Sequence, residues 1–411
     1  MEFLLQGARL VDAERDRPAA TIAVTGSVIA GVGDIPATMP GVASPADDLS
    51  VIDATGMIVT PGFTDVHTHG GGGYNLHTTD PDEIRAFARW APQTGVTSFL
   101  IGIVGTAGGL PEAQLQCAAD VVERPDDGAE PLGVFFEGPY LSQQRRGAHL
   151  PSWLRRPSRA DTERILTLTR GHLRLITIAP ELPGADAAIR RMVQAGVVAS
   201  VGHTDATYEQ TRHAIALGVS HATHCCNAMR PLHHRDPGPL GAIIEAPEVT
   251  GELILDGMHV HPSMARILVT LLGRDRLVGI TDALAGAGVP GATFEFAGQR
   301  AHVEAGVARL DDGTITGSVL TMDQALRTLI AMTGMSLGDA LAALAVNPAR
   351  TAGAAHRKGR LEAGYDADLL IFDESLSLCA TICKGRLAYA APEWSERFAG
   401  VVAAPSPAPA S

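Results

Sequence analysis

The chain of 411 residues and 42.8 kDa is too long for one small module and fits one large α/β domain with a smaller appendage. With 45% hydrophobic and 19% charged residues it has an ordinary globular balance, which excludes wholesale disorder. Its 32 basic residues against 45 acidic ones give a net charge of −13, which argues against a nucleic-acid partner and requires a local positive cluster for any anionic ligand.

The N-terminus, Met1-Glu2-Phe3-Leu4-Leu5, has no basic start and only a short apolar run, so it does not read as a secretory signal. No apolar stretch reaches the ~18 residues of a membrane helix. The 5 cysteines, at 117, 225, 226, 379 and 383, are odd in number, and Cys225–Cys226 are adjacent, which suits a reducing compartment. These signs predict a cytoplasmic protein without a membrane partner.

Residues 1–58 hold short strand-like runs, Phe3–Leu5, Thr21–Val24, Val28–Val32 and Val51–Ile52, separated by Gly, Asp and Pro. Residues 36–49, rich in Pro, Ala and Asp, predict a surface loop. Residues 356–402 return to strand-like text at Ala367–Phe372 and Leu378–Ile382. The two ends therefore predict one small β-sandwich domain built from both termini. The Ala/Pro/Ser tail at 403–411 predicts disorder.

Residues 59–355 alternate apolar strands with amphipathic helices. Strands are expected at 59–66, 97–104, 132–137, 173–179, 197–202, 220–223, 252–256 and 277–281. One helix has Asp80 as N-cap, Pro81 at its first position and Glu83 three residues after the cap; it buries Ile84, Phe87 and Ala88 and stops near Gly95. Another begins at Thr207 with Gln210 three residues on, and ends near Gly218. This pattern predicts a TIM-type (β/α)8 barrel, with an active site at the C-terminal strand ends. A doubly wound open sheet is the structural competitor.

Polar residues gather at those strand ends. The first strand ends Asp65-Val66-His67-Thr68-His69, followed by four glycines. Histidines two apart share a face of a strand and make a good metal-ligand pair. The glycines permit a sharp turn and close approach of a ligand. The third strand ends in Glu137, an odd core residue unless paired or metal-bound. The fifth ends in His203, the sixth carries His221 and His224, and the eighth ends in Asp282. One such residue is an ordinary capped strand end; five strands doing it together, with nitrogen and oxygen ligands, point to a divalent ion. The only lysines are Lys358 and Lys384, so neither a phosphate-binding Gly-Lys-Ser/Thr loop nor a metal-bridging lysine is available in the barrel.

The run Pro61-Gly62-Phe63-x-Asp65-x-His67-x-His69, with His203, His224 and Asp282, resembles the amidohydrolase superfamily. So do Asp53-Ala54-x-Gly56, Asn347-Pro348-Ala349 and Gly364-x-Asp366-Ala367-Asp368. More narrowly, Phe136-Glu137-Gly138-Pro139, Gly202–Tyr208, Asn227-Ala228-Met229, Asp256-Gly257-x-His259 and Thr281-Asp282-Ala283 resemble the family of N-acetylglucosamine-6-phosphate deacetylases.

That resemblance implies hydrolysis of the acetamide of a sugar phosphate. Glu137, His203 and His224 would hold a divalent metal, and Asp282 would act as general base and then acid. His67 and His69 would allow a second ion bridged by Glu137, so one or two ions per subunit are expected. Zinc is the first expectation, with iron, cobalt or manganese as alternatives. By the same resemblance Arg235 would anchor the phosphate, reaching a neighbouring active site in a homodimer. Ala148, His149, Asn227, Ala228 and His259 would contact substrate, and Thr316, Gly317 and Ser318 would form a loop against the sugar. His221, His233, His234, His302 and His356 receive no role. Cys225-Cys226 stands where the family has a bulkier pair, which bears on sugar specificity. The competing readings are an amidohydrolase acting on another N-acyl amino sugar or N-acyl amino acid, and a catalytically silent scaffold. All expected ligand types are present, which weighs against the scaffold.

Overall fold

The computed structural model describes residues 2–33, 35, 50–304 and 306–398. The segment 36–49 and the tail 403–411, expected to be a loop and disordered, lie outside the described residues. Eight parallel strands run in chain order around a barrel: Phe63–Asp65, Val96–Val104, Glu130–Tyr140, Leu173–Ile178, Val198–Val201, His221–Ala222, Thr250–Ile254 and Leu277–Ile280. A helix follows each strand, from Pro81–Trp90 after the first to Met322–Thr333 after the eighth. The last strand meets the first just beyond their ends. There the Asp282 amide donates to the His67 carbonyl at 2.9 Å, and the His69 amide donates to that of Ala283 at 2.8 Å. Lower down, the Thr281 hydroxyl donates to the Asp65 carboxylate at 2.5 Å. The ring closes, as expected of a TIM-type barrel and not of an open sheet.

Local chemistry explains the elements. Every residue of Val96–Val104 is buried, because helices cover one face of a barrel strand and the barrel interior the other. Asp80 caps its helix through the Asp82 amide at 2.9 Å. Glu83 does not close a capping box; its carboxylate accepts from the Asn75 amide at 2.8 Å, tying the helix to the turn after the first strand. At Thr207 the capping box with Gln210 is complete. Inside the barrel, Val66, Leu100, Phe135, Leu175, Ile254, Val278 and Ile280 form a plug under the site.

Two features depart from the sequence reading. The strand expected over 59–66 is two strands in two sheets: Ile58–Pro61 pairs with Leu369–Phe372 in the terminal domain, and Phe63–Asp65 opens the barrel. The chain changes sheets at Gly62, where a Cβ would lie 2.1 Å from the Thr97 hydroxyl, so only glycine fits the corner. Between the eighth strand and its helix sits an unforeseen four-stranded antiparallel sheet spanning residues 293–318.

The terminal domain combines Glu2–Val11, Asp16–Thr25, Val28–Gly33, Ser50–Asp53 and Ile58–Pro61 with Leu369–Phe372, Leu378–Cys383 and Arg386–Ala390. Glu2–Val11 pairs with Ser50–Asp53 through its first half and with Ile58–Pro61 through its second, so the sheet splits about Gly7 and closes over its own core as a β-sandwich. Both lysines of the chain dock this domain on the barrel. Buried Lys358 lies 2.9 Å from Glu130, 3.0 Å from Asp366 and 2.5 Å from Asp368, and Lys384 lies 2.8 Å from Glu130. Among the described residues no helix is long and apolar enough to cross a membrane.

Candidate metal centre

Glu137 stands at the centre of the C-terminal rim. Its Oε1 lies 3.0 Å from His203 Nε2 and 3.0 Å from His224 Nε2, and the two nitrogens are 3.1 Å apart. A tetrahedral zinc with ligand bonds of about 2.0–2.2 Å separates its ligands by about 3.3–3.6 Å. The three atoms therefore need to part by only a few tenths of an ångström to hold an ion. On the other side, His69 Nε2 is 3.2 Å from Glu137 Oε2, and Asp282 Oδ1 is 3.4 Å from His67 Nε2 and 3.5 Å from His69 Nε2. His67, His69 and Asp282 form a second group whose ligand atoms could share an ion.

The donor set tests this fit. His203 Nδ1 lies 2.9 Å from the Arg145 carbonyl, which can only accept. Nδ1 thus carries a proton, and Nε2 is the nitrogen turned on the Glu137 carboxylate. His67 Nδ1 faces the Glu252 carboxylate at 2.8 Å, so its Nε2 likewise presents a lone pair to Glu137 and Asp282. That nitrogen is fully buried and has no hydrogen-bond partner. Ring nitrogens and carboxylate oxygens held this close need a shared proton or a metal cation between them.

The charges fit as well. Burial pushes the Glu137 carboxyl up, but hydrogen bonds with His149, His203, His224 and His69 override it and hold it well below the usual range. Burial likewise raises Asp282, and His67 outweighs it, so the carboxylate stays ionised. In a chain without an ion, His67 is driven well above its ordinary value against burial by Glu252 and Asp282. A proton is the smallest cation that can occupy that position.

The other expected site residues are distributed as follows. His149 lies inside the cluster, its Nε2 3.4 Å from Glu137 Oε2 and its ring 4.8 Å from that of His203. The Ala148 carbonyl accepts from the Gln299 side chain at 3.0 Å, which ties this loop to the added sheet. Asn227 has a buried side-chain amide nitrogen without a partner, and the Ala228 carbonyl accepts from the Thr204 amide at 3.0 Å. His259 lies in the loop after the seventh strand, its Nδ1 2.6 Å from Asp256; that carboxylate raises its pKa although burial lowers it. Arg235 is exposed, 2.7 Å from the His234 ring. Thr316, Gly317 and Ser318 form a strand rather than a loop. The Ser318 amide donates to the Asp282 carbonyl at 2.8 Å and its hydroxyl to that of Thr281 at 2.5 Å.

Other details depart from the sequence reading. The first strand stops at Asp65, so His67 and His69 sit on the extension beyond it, held by the hydrogen bonds that close the barrel. The glycines of the first turn make room for protein: Cβ atoms at Gly71 and Gly72 would lie 2.4 and 2.5 Å from the Trp90 indole. Cys225 packs in the core, and burial pushes the Cys226 thiol up to about 11, which leaves both as protonated, inert thiols. The sequence reading passed over Glu252. This carboxylate is completely buried on the inner face of the seventh strand, and it joins His67, His221 and the His224 amide. It also passed over His77, which accepts from the Val104 amide at 3.2 Å and is lowered to about 4 by burial and by the nearby His69 and His149.

A sequence model of the amidohydrolase family matches residues 58–397. The N-acetylglucosamine-6-phosphate deacetylase of Lysinibacillus sphaericus is 35% identical over 343 residues, covering 83% of this chain and 88% of that protein. The N-acetylgalactosamine-6-phosphate deacetylase of Escherichia coli O157:H7 is 32% identical over 388 residues, covering 94% of this chain and 100% of that protein. Among solved structures, a mutant N-acetylglucosamine-6-phosphate deacetylase of Mycobacterium smegmatis in complex with N-acetyl-D-glucosamine-6-phosphate superposes with a TM-score of 0.85. It is 35% identical and covers 95% of this chain and 100% of that chain.

Proposed function

The chain belongs to the amidohydrolase family, and from that premise we propose that it hydrolyses the acetamide of N-acetylglucosamine 6-phosphate to glucosamine 6-phosphate and acetate. The observation that carries this reading is the convergence of Glu137, His203 and His224 within 3.1 Å of one another, beside a buried and ionised Asp282.

Glu137, His203 and His224 would hold the first ion, and His67, His69 and Asp282 a second. Zinc is the best match to this nitrogen and oxygen set, with iron, cobalt and manganese as alternatives. Such an ion polarises the amide carbonyl and lowers the pKa of an attacking water toward ~7. Asp282 accepts the proton of that water as its oxygen bonds to the acetyl carbon. It then passes the proton to the nitrogen as the C–N bond breaks, so acetate and a free amine leave. Asn227, the Ala228 backbone, His149 and His259 line the approach to these groups and orient the sugar. Ser318 holds the Asp282 backbone from behind, and Thr316 and Gly317 precede it in the same strand.

Arg235 anchors the phosphate with its planar fork. In this reading it serves the neighbouring site of a homodimer, which its exposed position after the sixth strand allows. The free cysteines support a cytoplasmic location. N-acetylgalactosamine 6-phosphate is the second reading, favoured by the full-length match to a deacetylase of that sugar and by the small Cys225-Cys226 pair beside His224.

Acetate release from the two sugar phosphates and from unphosphorylated N-acetylglucosamine tests the reading. One phosphorylated sugar should be preferred by orders of magnitude in kcat/KM. Equal rates with and without phosphate would remove the anchor, and no release from either sugar phosphate would remove the function.

A further inference from the structure

A chain of buried polar groups runs through the barrel behind the candidate metal centre, and the proposed reaction uses only His67 of it. The Thr250 hydroxyl lies 2.6 Å from His221 Nδ1. His221 Nε2 lies 3.0 Å from Glu252 Oε1, and His67 Nδ1 lies 2.8 Å from Glu252 Oε2. The His224 amide also donates to Oε2, at 2.9 Å. His67, His221 and Glu252 are all 0% exposed.

The proton arrangement follows from the chemistry of each group. A carboxylate only accepts, so each of the three nitrogens facing Glu252 carries a proton. His221 Nδ1 meets the Thr250 hydroxyl on its other side, so both ring nitrogens are engaged and the ring is fixed in orientation. His67, with its proton fixed on Nδ1, has a lone pair on Nε2 and no freedom to turn it elsewhere. That lone pair points at Asp282 Oδ1, 3.4 Å away, and Glu137 Oε1, 3.7 Å away, neither of which can donate to it when ionised.

We infer that Glu252, backed by His221, is a positioning residue that makes His67 a ligand through Nε2 and so sets the site's capacity for a second divalent ion. The inference rests on the metal-dependent reading above. It extends that reading to a residue that touches neither substrate nor ion. Outer-shell carboxylates on ligating histidines contribute about 10- to 100-fold in metal affinity. Glu252→Gln keeps the shape and removes the charge and the obligatory acceptor at one oxygen.

The test is zinc and cobalt titration of the metal-stripped full-length protein, without substrate, with His67→Asn as the one-ion reference. The parent should bind two ions per chain. Glu252→Gln should keep the first at parental affinity and bind the second about 10- to 100-fold more weakly, with loss of the second cobalt absorption increment. A Glu252→Gln chain that takes up both ions at parental affinity, or a parent that takes up only one, overturns the inference. Should Glu252→Gln fail to fold, imidazole NMR of the zinc-loaded parent decides. A slowly exchanging Nδ1–H, assigned by its loss in His67→Asn, is expected, and its absence overturns the assignment. Because no substrate is involved, a parent that binds two ions but releases no acetate would sink the proposed function and leave this role standing.

Discussion

Replacing Asp282 by Asn should nearly abolish turnover while sparing the first metal position. Asparagine matches the volume of aspartate and tolerates the left-handed backbone found there, with φ of 49°. The backbone bonds also survive, because the residue 282 amide still donates to His67 and its carbonyl still accepts from Ser318. What is lost is a carboxylate that burial pushes toward neutrality and His67 keeps ionised. An amide cannot take a proton from water at neutral pH. A positioned general base contributes about 10²–10⁴-fold, so kcat should fall by that factor, equivalent to about 2.7–5.4 kcal/mol of barrier. Asp282 Oδ1 also faces His67 and His69, so the second ion should weaken in parallel, whereas Glu137, His203 and His224 should still retain one. Acetate release and metal analysis on the same sample separate the two effects. Turnover within threefold of the parent would refute the proton-transfer role, and loss of all metal would make Asp282 a ligand first.

Arg235→Ala should raise KM for the sugar phosphate by about 10- to 100-fold, the worth of a charged hydrogen bond, with kcat little changed and the unphosphorylated sugar unaffected. A uniform loss on both sugars would remove it from the phosphate. Lys358→Met should cost about 3–5 kcal/mol in a urea titration, because Glu130, Asp366 and Asp368 lose their buried counter-charge; a loss under 1 kcal/mol would show that Arg357 and Lys384 suffice. The same cluster should make the fold sensitive to acid. Burial pushes Glu130 up, but Arg357, Lys358 and Lys384 override it and hold it far below its ordinary 4.5. A depressed carboxyl adds stability that is complete above its unfolded value and lost as pH falls through the folded one. Urea midpoints should therefore drop steadily below about pH 4.5, and Glu130→Gln should flatten that slope.

The sequence revealed most where chemistry is local. The capping box at Thr207 needs only residues three apart, and the polar strand ends needed only an apolar run that stops in Glu137, His203 or Asp282. The structure brings those three residues, with His67, His69 and His224, into one cluster. Features set by distant partners were hidden. Nothing near Gly62 announces that the chain changes sheets there, because the reason is Thr97 in the next barrel strand. The glycines after His69 read as an opening for a ligand, yet the Trp90 indole fills the space. Glu252 opens the run Glu252-Leu253-Ile254-Leu255-Asp256, and attention to the strand's end passed over the carboxylate on its inner face. An acidic residue alternating with inward apolar ones was the available signal.

The backbone of the site carries information that no side-chain pattern holds. Among the described residues, nine other than glycine have positive φ, and five of them are His203, His224, Cys226, Ala228 and Asp282. Each such residue costs on the order of 1–3 kcal/mol unless its surroundings over-determine it. Here the surroundings do so through named bonds. The His224 amide is held by Glu252, Asp282 is held between His67 and Ser318, and the Ala228 carbonyl accepts from the Thr204 amide. His203, His224 and Asp282 each lie two residues beyond the end of a barrel strand, where the left-handed conformation breaks the extended path of the chain. With the backbone in this form, the His203 and His224 ring nitrogens approach to 3.1 Å beside Glu137. The strained positions therefore coincide with the residues that converge. The buried Glu252 carboxylate bonds the strained His224 amide and the His67 ring with the same oxygen, and so links the backbone of one candidate ligand to the side chain of another.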